Sequence, residues 1–250
     1  MNLCKKRREA GDDESITGVS VVSRSSKGTA VQALIFDLDG VIVDSERNHF
    51  AAFNQALAPY GFGLDFDYFT SRMIGISPRE SLARLRDEFD LAFDIATVAA
   101  CKDRSYQAIA AKNPRANTLV IDLVHRLKKH FPIALASGAP AGDVSVILKT
   151  LNLSGLFDVL VSGDDVSRGK PDPEIFLLAA KRLSRPPQFC VVFEDSVPGL
   201  EAAHRAGMRV IAIRSEYASG LYFPQVNFVI ESVKSLDAGK LEALLLKEQL

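Results

Sequence analysis

Five short, almost wholly apolar runs constrain this chain more than any other feature, because four of them stop abruptly on polar residues. Val31–Phe36 ends at Asp37, Phe131–Ala136 at Ser137-Gly138, Phe157–Val161 at Ser162-Gly163-Asp164, and Phe189–Phe193 at Glu194-Asp195. Arg209–Ile213 is the fifth. Runs of this kind, rich in β-formers, read as strands buried on both faces. Helical patterns lie between them, over roughly 140–152, 173–183 and 197–206. Strands alternating with helices require right-handed crossovers and a parallel sheet. The expected fold class is α/β, with a doubly wound parallel sheet.

One interval breaks the alternation. From Ser45 to about Asn113 there is no strand pattern, whereas Phe50, Phe53 and Leu57, then Leu82, Leu85 and Phe89, recur at helical spacing. A further helical stretch covers roughly 94–111. An insertion after the first strand of a parallel sheet sits above its C-terminal edge, where ligands bind. Residues 46–112 are therefore expected to form a helical cap, with 31–45 and 113–250 forming the α/β core. Residues 1–30 carry a basic cluster (Lys5–Arg8), an acidic one (Asp12–Glu14) and several serines. They read as a polar, disordered extension and match neither a secretory signal nor a transit peptide.

Charge and composition exclude several classes. Lys and Arg number 30 against 31 Asp and Glu, giving a net charge of −1, so the concentrated positive charge of a nucleic-acid binder is missing. The apolar runs fall far short of the ~20 residues needed to span a bilayer. Three cysteines, Cys4, Cys101 and Cys190, are too few and scattered for a disulfide framework or zinc site, which is consistent with a reducing, cytoplasmic location.

In an open parallel sheet the strand tips converge at the topological switch point. Asp37, Asp39, Glu194 and Asp195 are thus expected to meet Ser137 and Lys170 in one crevice. Like charges a few ångströms apart repel by several kcal/mol even at an effective dielectric of ~20, so a divalent cation is the natural remedy. Oxygen donors without a nearby His or Cys pair favour Mg²⁺ over zinc. Asp37, ionised at neutral pH, needs no base to act as a nucleophile toward a charge-neutralised phosphate. Asp39, two residues on, can protonate a departing oxygen and later take a proton from water. Ser137 and Gly138, before a helix opening near Pro140, offer a hydroxyl and backbone N–H groups to phosphate. Lys170, set between Gly169 and Pro171, reads as counter-charge and phosphate clamp. Asp172 and Ser196 read as helix caps.

These four motifs, in this order, resemble the haloacid dehalogenase superfamily, and within it the β-phosphoglucomutase-like branch. The resemblance covers about residues 32–215. It implies an aspartyl-phosphate on Asp37 and acid–base catalysis by Asp39. It also implies Mg²⁺ held by Asp37, the Asp39 carbonyl and Asp195, with Glu194 in support. An aspartate at position 39 is similar to the phosphatase and mutase members rather than the dehalogenases and phosphonatases. In the cap, His49 matches a histidine that faces substrate in many of these enzymes, and Lys102 with Tyr106 resembles a Lys/Tyr pair. Gly75–Leu82 resembles the cap loop that carries specificity residues. In β-phosphoglucomutase an arginine follows the serine directly, whereas here Pro78 separates Ser77 from Arg79, which argues against a strict mutase.

The expected function is a Mg²⁺-dependent phosphomonoester hydrolase acting on a small phosphorylated metabolite, in particular a sugar phosphate. Arg79, Lys102 and His49 would contact substrate from the cap. A phosphosugar mutase is the alternative enzyme. A catalytically silent binding module on the same fold is the alternative from another class, and it predicts a broken constellation that this sequence does not show.

Overall fold

The computed structural model describes residues 19–21, 30–74, 78–214, 226–232, 234 and 236–247. The core is a seven-stranded sheet. Its strands are β1 (Val19–Val21), β2 (Ala33–Phe36), β3 (Ile133–Ala136), β4 (Val159–Val161), β5 (Cys190–Glu194), β6 (Arg209–Ile213) and β7 (Phe228–Ile230). They lie in the order β1-β7-β6-β5-β2-β3-β4, and six run parallel.

Alternate residues of each strand feed opposite faces, as the two-residue side-chain period demands. Leu34, Phe36, Ile133, Leu135, Val191 and Phe193 pack on one face with α5 (Thr118–Leu127), α6 (Ala141–Thr150) and α9 (Ala238–Leu246). Ala33, Ile35, Ala134, Ala136, Cys190 and Val192 pack on the other with α7 (Glu174–Arg182) and α8 (Val197–Arg205). Because both faces are covered, the strands read as unbroken apolar runs.

The chain moves outward from β2 through β3 to β4, then crosses back to place β5 on the other side of β2. The strand order therefore reverses between β2 and β5, and the crevice outside their C-terminal ends is the expected ligand position. Phe36 pairs with Phe193 in this ladder, their rings stacked at 4.3 Å. The Asp37 N–H continues the ladder by donating to Phe193 O at 3.0 Å. Asp37 and Glu194 are thereby brought side by side.

The helical insert comprises α1 (Glu46–Leu57), α2 (Phe66–Arg72), α3 (Pro78–Glu88) and α4 (Ile95–Lys112). It has its own apolar core of Phe53, Leu57, Phe69, Leu82, Leu85 and Val98. Its two connections to the sheet domain are tied together: Asp44 N–H donates to Arg115 O at 2.8 Å, and Asn117 N–H donates to Ile42 O at 2.9 Å. An ion pair between Asp44 and Arg115 at 3.6 Å spans the same linkers.

Two strands fall outside the sequence expectations. Val19–Val21 lies within the segment read as a disordered extension, yet pairs antiparallel with β7. That reading is corrected for these three residues: a β-branched Val-Ser-Val run suits an edge strand, and the exposed edge of β7 supplies its partner. The other strand, β7 itself, is too short for periodicity to reveal. The rest of 1–30, and Gly75–Ser77 of the cap loop, lie outside the described residues.

Candidate active site

At the strand tips one lysine joins two acids. Lys170 Nζ donates to Asp37 Oδ1 at 2.6 Å and to Glu194 Oε2 at 2.7 Å. Glu194 is fully buried and its other oxygen accepts from the Ser196 N–H at 3.0 Å and the Ser196 hydroxyl at 2.7 Å. Ser196 also caps α8, its hydroxyl accepting from the Gly199 N–H at 3.1 Å. One serine thus starts the helix and fixes the acid before it. Asp172 accepts from the Glu174 N–H at 3.0 Å, so the loop bearing Lys170 is anchored to the start of α7.

Glycine creates the space these carboxylates occupy. A Cβ on Gly199 would fall 2.1 Å from the Glu194 carboxyl carbon, and one on Gly40 would fall 1.7 Å from Asp195 Oδ2. Gly40 also turns the chain at φ +73°, a conformation that glycine adopts without strain.

Asp37, Glu194 and Asp195 each place an oxygen within 4.8 Å of the others. Burial foremost, then Glu194, pushes the Asp37 carboxyl up to about 8, with Lys170 opposing. Asp195 is raised for the same two reasons, burial and the neighbouring Glu194. Burial also opposes charge on Lys170, but Asp37 and Glu194 outweigh it and hold the ammonium protonated. One lysine against two buried carboxylates and a half-buried third leaves negative charge uncompensated, which a hard divalent cation would offset. The donor set is all oxygen and matches Mg²⁺ chemistry.

Asp39 points elsewhere. Its carboxylate accepts a hydrogen bond from the Tyr106 hydroxyl of α4, so a cap residue holds it. Burial raises Asp39, while Tyr106, Lys170 and Lys102 pull it back. The Tyr106 ring stacks on His49 at 4.1 Å with the planes 10° apart. Burial, then Lys102, drives His49 well below its usual value, so its ring is neutral at physiological pH. Lys102 is only 3% exposed, with its ammonium 3.5 Å from Asp103 and 5.2 Å from the Tyr106 ring centroid.

Cap and core enclose a cavity of about 440 Å³. Asp37, Asp39 and Lys170 line it from the strand tips, His49, Lys102 and Tyr106 from the cap, and Gly138 from the loop before α6. Ser137 does not line it: the residue is fully buried and its hydroxyl accepts from the Ala139 N–H at 3.1 Å. Arg79 is exposed on the first turn of α3, near Asp94, and is not among the lining residues. Three polar lining residues were not anticipated, namely Asp103, Gln107 and Asp143. Asp103 and Gln107 share the α4 face of Tyr106 at helical spacing, a signal the sequence does contain. Asp143 sits in the first turn of α6, where an acid reads as ordinary helix-end chemistry.

A profile for haloacid dehalogenase-like hydrolases matches residues 34–213. The chain is 36% identical over 185 residues to a phosphorylated carbohydrates phosphatase of Thermotoga maritima, covering 72% of this chain and 84% of the relative. It superposes on β-phosphoglucomutase from Clostridium difficile with a TM-score of 0.64 at 26% identity, covering 87% and 98% of the two chains. CbbY from Rhodobacter sphaeroides, in complex with xylulose-(1,5)-bisphosphate, matches with a TM-score of 0.66 at 26% identity, covering 83% and 96%.

Proposed function

We propose that this chain, which belongs to the haloacid dehalogenase-like hydrolase family, hydrolyses the phosphomonoester of a small sugar phosphate through an aspartyl-phosphate on Asp37. The observation that carries the reading is the meeting of Asp37, Glu194, Asp195 and Lys170 at the sheet's switch point, under a helical cap. The 36% identical relative that acts on phosphorylated carbohydrates supports the substrate class.

Asp37, Asp195 and the Asp39 carbonyl would hold Mg²⁺, with Glu194 in support. Bound there, the ion supplies positive charge that keeps Asp37 ionised and lowers phosphate's repulsion of it. An Asp37 carboxylate oxygen attacks phosphorus as the bond to the sugar oxygen breaks. Asp39, whose carboxyl burial raises above its ordinary value, acts as the acid that gives a proton to that leaving oxygen and frees the alcohol. The Asp39 carboxylate then takes a proton from water as the water oxygen attacks the phospho-aspartate. Inorganic phosphate leaves and both aspartates return to their starting forms. Lys170, held charged by its acidic partners, balances the phosphoryl oxygens. The cap excludes bulk water from these steps.

The test is a phosphate-release screen over phosphorylated sugars, run with Mg²⁺ and with chelator. Metal-dependent release from a sugar monophosphate is expected. Isomerised sugar phosphate without free phosphate would establish the mutase instead, and no reaction on any compound would reject both.

A further inference from the structure

We infer that this site is built for a substrate bearing a single phosphate, and that Asp143 on α6 excludes a second anionic group from the sugar body. The inference rests on the phosphatase reading above and narrows its substrate class.

The charges lining the cavity are unevenly arranged. Among the described lining residues the cations are Lys170 and Lys102. Lys170 is committed to Asp37 and Glu194 at the reacting end. Lys102 acts electrostatically on Asp39, and its nearest acid is Asp103. Neither lies on the core wall facing α4. That wall consists of Gly138, Ala139, Pro140, Asp143 and Ile147, with no side-chain donor. The cap face opposite adds Asp103 and Gln107.

The start of α6 compensates only in part. Helix N-termini attract anions through unpaired N–H groups, but two amides here are already taken. Ala139 N–H donates to Ser137 Oγ at 3.1 Å, and Ala141 N–H donates to Asp164 Oδ2 at 2.8 Å. Asp143 adds a negative charge in the first turn. Its carboxylate is half-buried and has no hydrogen-bond or ion-pair partner among the described residues. A second phosphate against this wall would face an unpaired carboxylate and find no counter-charge, which is strongly unfavourable in a partly desolvated site. A hydroxyl can donate to Asp143, and an ammonium can pair with it. The site therefore favours neutral or amino-bearing sugar monophosphates over bisphosphates. CbbY is a structural relative, a variant of which is seen in complex with a bisphosphate.

The experiment compares kcat/KM of the Mg²⁺-loaded full chain on a hexose monophosphate, the corresponding hexose bisphosphate and a hexosamine monophosphate. Para-nitrophenyl phosphate serves as a substrate without a sugar body. Each ratio is taken within one preparation, so a misfolded fraction cancels. The wild type is expected to prefer the monophosphate over the bisphosphate by about tenfold or more. Asp143→Asn should cut that preference several-fold through KM for the bisphosphate, and Asp143→Glu, which keeps the charge, should retain it. Equal use of the two hexose phosphates by the wild type overturns the inference, as does a preference unchanged in Asp143→Asn. Turnover of para-nitrophenyl phosphate separates these outcomes from failure of the phosphatase reading: silence on every compound, this one included, rejects that reading and the inference with it.

Discussion

The Tyr106 hydroxyl, on a cap helix, donates a hydrogen bond to the Asp39 carboxylate on the core. The proposed acid–base group is thus held from across the cavity, and cap position and Asp39 orientation are coupled through one contact. The ring that delivers the hydroxyl is fixed by its stack on His49.

Tyr106→Phe removes the donor and keeps the ring. A hydrogen bond to a charged group contributes about 1.5–3 kcal/mol. If half of that acts on catalysis, kcat falls about three- to tenfold. The stacked ring preserves the cap, so the melting temperature should stay close to that of the wild type. Steady-state kinetics with a thermal melt checks both, and an unchanged kcat would show that the contact does not matter to turnover.

Asp37→Asn is near-isosteric and removes the nucleophile. Phosphate release is expected to fall by about a thousandfold or more. The acid cluster also loses one charge, so the stabilisation that Mg²⁺ confers in a melt should shrink. Wild-type turnover in this variant would refute the assigned role.

Gly199→Ala and Gly142→Ala form a matched pair. The first drives a Cβ to 2.1 Å from the Glu194 carboxyl carbon, while the second meets nothing within 4 Å. Overpacking against a fully buried acid costs about 1–3 kcal/mol, and displaced Glu194 would disturb Lys170 and lower activity. Alanine in the open helical position stabilises by up to about 1 kcal/mol. Chemical denaturation of both variants should show opposite signs.

Metal-free protein is expected to lose stability as pH rises. Asp37 titrates at about 8 in the fold, against a usual carboxyl value of 3.8, and Asp195 is also raised. Between those values the folded state binds more protons than the unfolded state, so deprotonation favours unfolding. The stabilising contribution is fully present below the unfolded value and disappears as pH passes 8. Mg²⁺ competes with those protons, so the stabilisation it confers should grow with pH, reaching about 2.7 kcal/mol at a hundred times its dissociation constant. Melts at pH 5.5, 7 and 8.5, with chelator and with Mg²⁺, test this; a Mg²⁺ effect that is flat or falls with pH contradicts it.

The core was legible because strand burial on two faces leaves a plain mark in one dimension. Ala33–Phe36 and Cys190–Glu194 are apolar up to their tips, and Asp37 and Glu194 stand where the apolar run stops. The helical insert was legible as an interruption of the same alternation. Strands β1 and β7 were not, since three residues give no period and the pairing of β1 depends on which edge is left open.

Within the site, sequence alone determined which residues stand at strand ends, because a parallel sheet carries every such end to one edge. Only the tertiary structure decided how they face. Ser137 is buried with its hydroxyl on the Ala139 N–H and leaves Gly138 at the cavity, Arg79 lies exposed on α3, and Lys102 is buried beside Tyr106. Tyr106 and Asp39 are 67 positions apart in the chain, and Asp143 gains its meaning from the cap helix opposite. Such relationships arise from the packing of one domain over another, where direction and distance depend on side chains from several elements at once, and no local period records them.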